Sequence, residues 1–150
     1  MYEKAEKKVR EYFKGDYNCS QSVLRTILEE KDAYFEQALF VTAAYGGGIV
    51  GRGEICGAVS GAIMAIGVLN GKIHNKITDV KDATRKDTIE FYKLFQKKFR
   101  HSTCYGLIGI DPNDPDAKQR ASDEGIYKEN CPNFVVEAVK IVLEMFEDKL

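Results

Sequence analysis

No apolar run in this sequence is long enough to cross a bilayer. The best candidate, "ICGAVSGAIMAIGVL" at 55–69, has 15 residues where about 20 are needed, and Arg52 and Glu54 precede it closely. An excess of charge is lacking too: 22 Lys and Arg stand against 23 Asp and Glu. Neither a nucleic-acid partner nor direct membrane insertion is therefore expected. The opening "MYEKAEKKVREYF" alternates charged and apolar residues without the apolar core of a secretory signal, so the expected location is cytoplasmic. No alternating strand pattern runs beyond a few residues, and no repeat, low-complexity tract or linker divides the chain. The acidic "DPNDPD" at 111–116 lacks the glycine and the distal acid of a calcium loop and reads as turns.

Helical periodicity is what the sequence does have. Tyr2, Ala5, Val9, Tyr12 and Phe13 line one face of a first helix, which Gly15 ends. Asn18 caps a second helix with inner stripe Val23, Leu24, Ile27 and Leu28, and Gln21 stands where a capping-box partner belongs. A third helix is expected over 35–44 with Leu39 and Ala43 inward, then a buried one over 55–69. A long helix over 79–99 carries Thr84, Thr88, Phe91, Phe95 and Phe99 at helical spacing. Asp114 before Pro115 caps a short helix, and the last helix is expected to start at Pro132. With 44% hydrophobic and 30% charged residues, the expected fold is all-α. It is a single domain over 1–150, a bundle of about five to seven helices around a small-residue central helix.

The segment "GGGIVGRGEICGAVSGAIMAIGVLNG" at 46–71 sets this chain apart. Gly46, Gly48 and Gly51 formally match G-x-G-x-x-G, but a helical pattern precedes them and no strands follow. A dinucleotide site is therefore not expected. The glycines read as an inter-helix turn. Gly57 and Gly61, with Ala58, Ala62 and Ala65, make a helix face slim enough for neighbours to pack on its backbone. Cys56 falls at the start of that helix, where unpaired amides and the helix dipole favour a thiolate, and Arg52 is a nearby cation.

Three more cysteines repeat this placement. Cys19 follows the cap Asn18, Cys131 precedes Pro132 as the expected cap of the last helix, and Cys104 follows Ser102 and Thr103, either able to cap a short turn. In a reducing compartment such cysteines point to redox, catalytic or metal chemistry before structural disulfides. A thiol of pKa about 8.5 is only about 3% ionised at pH 7, and lowering it to about 7 makes half of it thiolate. His101, three residues before Cys104, is expected at the surface, as is His74. Glu54 fits a first-turn acid.

Cys56-Gly57-Ala58-Val59-Ser60-Gly61 spells C-G-A-x-x-G, with one cysteine before it and two after. Over about residues 15–145 the chain resembles the family called C_GCAxxG_C_C after its cysteine pattern. The resemblance implies a small redox-active protein, often encoded near transporter genes, with Cys19, Cys56, Cys104 and Cys131 as its four characteristic positions.

Two chemistries suit four such thiols. The first is thiol–disulfide electron transfer, with Cys56 as nucleophile, Cys19 as its partner, and Cys104 with Cys131 as a second pair. It requires no cofactor and implies an oxidoreductase acting on a redox partner protein or a small thiol or disulfide. None of the three pairings is excluded by sequence. The second is a zinc or iron–sulfur site built from all four thiolates. Separations of 37, 48 and 27 residues, with no local C-x-x-C pair, argue against it. A non-catalytic module associated with a transporter, with or without homo-oligomerisation, is the third reading.

Overall fold

Eight α-helices and no strand make up the computed structural model, which describes residues 1–150. They are α1 (Glu3–Lys14), α2 (Cys19–Glu30), α3 (Ala38–Val41), α4 (Gly57–Ile73), α5 (Ile77–Phe99), α6 (Cys104–Ile108), α7 (Pro115–Asp123) and α8 (Ile126–Met145). No helix is long and apolar enough to cross a membrane. A cluster of 25 buried residues forms the core, drawn mainly from α1, α2, α4, α5 and α8.

The α2 start follows the sequence signal. Asn18 Oδ1 accepts from the Gln21 amide at 2.8 Å while Gln21 Oε1 accepts from the Asn18 amide at 3.0 Å, a complete capping box. The Asn18 and Gln21 side chains do a second task. Asn18 Nδ2 donates to the Thr42 and Ala43 carbonyls, and Gln21 Nε2 to that of Leu39. Thr42 turns its hydroxyl back onto the Ala38 carbonyl at 2.6 Å. These bonds replace a longer ladder, so the helix expected over 35–44 shrinks to a single turn. Ala38 and Thr42 face inward there, in place of Leu39 and Ala43.

α4 packs on α2, α5 and α8. Gly57, Ala58, Gly61, Ala62 and Ala65 are all buried, and the glycine positions explain the motif. A β-carbon on Gly61 would sit 2.6 Å from the Ser20 carbonyl oxygen, and one on Gly57 would overlap the Cys19 sulfur. The first turn of α2 therefore lies directly on the α4 backbone, and the Ser20 and Ser60 hydroxyls pair across the contact at 3.1 Å. On α5, Phe91 stacks on Phe95, Phe95 meets Phe99 at a tilt, and Phe99 meets Phe134 of α8 edge-on at 4.9 Å.

α8 corrects the expectation about its start. Gly125, at φ +76°, turns the chain so that the helix begins at Ile126, six residues before Pro132. The proline lacks an amide for the Lys128 carbonyl, but Lys128 and Asn130 are exposed, so water can satisfy it. Packing of α7 against α8 outweighs the local proline signal.

The glycine loop carries five consecutive positive φ values, from Gly47 through Ile49 and Val50 to Gly51. Left-handed backbone costs a residue with a β-carbon about 1–2 kcal/mol, and β-branched residues are among the least tolerant. Val50 is 68% exposed, so little packing offsets that cost. Val50→Gly is expected to raise stability by about 1 kcal/mol, a rise in Tm of about 2–4 °C by calorimetry. An unchanged or lower Tm would mean the loop holds no such strain.

Candidate functional site: four thiols on one cavity

Cys19 is the first residue of α2, Cys56 the N-cap of α4, Cys104 the first residue of α6, and Cys131 the sixth of α8. Three thus occupy helix starts, with Thr103 capping α6 through its hydroxyl at 3.0 Å from the Gly106 amide. Cys131 does not; the earlier start of α8 leaves it inside the helix. All four are free thiols, and all four line one cavity of about 590 Å³ between the glycine loop, α6, α7 and α8.

Short-range geometry seats each sulfur. Residues 53–56 run antiparallel to 102–105, bridged at Ile55 and Thr103. The Cys56 amide donates to the Ser102 carbonyl at 2.8 Å, and the Cys104 amide to that of Glu54 at 2.7 Å, so this strap holds the two cysteines side by side. Gly48 leaves room for it: a β-carbon there would stand 2.6 Å from the Glu54 nitrogen and 2.8 Å from the Cys104 Cβ. Cys19 lies against Gly57, the residue after Cys56.

Backbone amides do surround two of the sulfurs. Those of Gly47, Cys19 itself, Ser20 and Gly57 favour the Cys19 thiolate, and those of Ala58 and Val59 favour that of Cys56, although Cys56 forms no full capping hydrogen bond. Desolvation outweighs them. Burial pushes all four thiols up, Cys131 to about 12, and the neighbouring sulfurs add to the rise at Cys56, Cys104 and Cys131. The expectation of thiols lowered toward neutrality is thus reversed for the resting protein: removing a small anion from water costs more than a few amide dipoles return. Cys56 is only 6% exposed, which argues against it as the first sulfur to attack.

Only Cys104 has a cation lowering its pKa, and that cation is Lys118 of α7, not Arg52. Arg52 pairs instead with Glu54 at the surface, at 3.5 Å. Nothing local marks Lys118 in the sequence; it comes to the cavity because Asp114 caps α7 and aims one face of that short helix inward. Tyr127 also lines the cavity, its phenol raised by burial and by Cys104 and Cys131. His101 is exposed, as expected, while His74 is half-buried at the end of α4. No three or more His, Cys, Asp or Glu side chains are gathered closely enough in this arrangement to hold a metal ion.

Residues 17–145 match the family model described as "Putative redox-active protein (C_GCAxxG_C_C)". No curated protein and no solved structure matches the chain.

Proposed function

We propose thiol–disulfide exchange at the shared cavity for this chain, which belongs to the C_GCAxxG_C_C family of redox-active proteins. One observation carries the reading: thiols from four different helices open onto the same cavity wall. Cys104 is the attacking sulfur, being half-buried and the only one with a cation to favour its thiolate. Cys19 is the resolving sulfur: it lies by the Gly47 amide, next to the Gly48 that packs on Cys104, and against Gly57.

The electrons balance in two displacements. The Cys104 thiolate attacks one sulfur of a disulfide R–S–S–R, whose S–S bond breaks as RS⁻ leaves and takes up the proton lost by Cys104. Cys19 then attacks the Cys104 sulfur of the mixed disulfide, the second RS⁻ leaves with the Cys19 proton, and a Cys19–Cys104 disulfide remains. The substrate disulfide gains two electrons and the two cysteines lose them. Cys56 and Cys131, on the same cavity, take no part in these two displacements.

Trapping tests this order. With a small aromatic disulfide, Cys19→Ser should hold one adduct on Cys104, while the unaltered protein loses two thiols and retains no adduct. Peptide mass mapping reads both. Exchange by Cys104→Ser at the unaltered rate would overturn the assignment.

A further inference from the structure

The cavity has a chemical bias that the thiols do not explain. Of its 25 lining residues, Lys118 alone carries a formal charge; no Asp, Glu, Arg or His reaches the wall. Phe13, Leu107, Ile110, Pro112 and Phe134 make much of the remaining surface apolar. Lys118 is half-buried and forms no ion pair; its one protein partner is the Gly51 carbonyl, at 3.0 Å. An ammonium carries three donors, so two are left for a ligand. No carboxylate on the wall pairs with it, and its neighbours across the cavity are thiols and apolar side chains. The volume, about 590 Å³, lies within the range of small-molecule sites.

We infer that the cavity binds a small amphipathic anion, an apolar body carrying one carboxylate or similar oxyanion that pairs with Lys118. The apolar body lies along the Phe13 and Phe134 walls, and the head meets the ammonium beside Gly51. This inference rests on the exchange reading only in that such a ligand, when it bears a disulfide, is the natural partner of Cys104. A polar disulfide of several charges would leave ionic groups against the apolar walls.

Octanoate and octanamide test the ligand class apart from the redox chemistry, since neither contains sulfur and they differ only in the charge of the head. By isothermal titration of the fully reduced protein, octanoate should bind at least tenfold more tightly than octanamide. Lys118→Met should remove that preference, and Lys118→Arg should restore most of it, which a purely structural role for the lysine would not produce. Unfolding midpoints of the variants monitor the fold. Equal binding of acid and amide, no saturable binding of either, or a preference that survives Lys118→Met would overturn the inference. Lys118-dependent octanoate binding upholds it even if the trapping experiment on Cys19→Ser fails, so the two readings stand or fall separately.

Discussion

Gly61→Ala is expected to destabilise the protein by about 1–3 kcal/mol, and Gly57→Ala by a similar amount, although alanine is the better helix former. The added methyl at 61 would stand 2.6 Å from a backbone oxygen of α2, and the one at 57 would take the space of the Cys19 sulfur. At 61 the neighbour is backbone, and at 57 the Ser20 nitrogen and the Tyr45 carbonyl oxygen, at 3.0 and 3.1 Å, stand beside the sulfur. α2 and α4 must therefore separate, and the close pairing of Ser20 with Ser60 is lost with them. Gly67, on the same helix, supplies the control: its nearest neighbour would be the Thr84 methyl at 3.9 Å, an ordinary contact. Gly67→Ala should stabilise by up to about 1 kcal/mol, through helix propensity alone. Urea unfolding midpoints of the three variants compare these directly. If all three alanines shift the midpoint the same way, the motif glycines are not there for helix contact.

Cys131 should react with a neutral alkylating agent at pH 7 about 100-fold more slowly than a small free thiol. A thiol at about 12 is ionised to only about one part in 10⁵ at that pH, against about 3% for an ordinary one. The greater intrinsic nucleophilicity of the more basic thiolate returns one to two of those powers of ten. The rate should climb about tenfold per pH unit towards pH 12, and peptide-resolved labelling with iodoacetamide measures it. The same shift bears on stability. Between about 9, the reference value, and about 12, the unfolded chain has lost a proton that folded Cys131 keeps, so stability falls as pH rises through that window. The slope is at most about 1.4 kcal/mol per pH unit for this one thiol, and it should be shallower in Cys131→Ser. Labelling of native Cys131 at the free-thiol rate at pH 7 would sink both expectations.

These reversed pKa values mark where sequence reasoning met its limit. Periodicity and capping signals are local, and the elements they define recur in the fold: the Asn18–Gln21 box, the Thr103 and Asp114 caps, and the α5 aromatic stripe. A cysteine's place at a helix start is also a local matter, and Cys19, Cys56 and Cys104 each lie at one. Whether that start lies in water or under other helices is not local. The amide dipoles could be anticipated from chain position, but the desolvation that overcomes them depends on what α7 and α8 lay over the sulfurs. The α8 start failed for the same reason, because tertiary packing carried the helix back through Pro132 to Gly125.

By itself, then, the order of residues determined the helical class, most element starts, the slimness of α4 and the family of four cysteines, since each follows from interactions within a few positions along the chain. Tertiary structure alone decided that the four sulfurs share a cavity, that Lys118 is its one charge, and that this cation acts on Cys104. Those are matters of distance and dielectric between segments more than a hundred residues apart in the chain, and no local pattern encodes them.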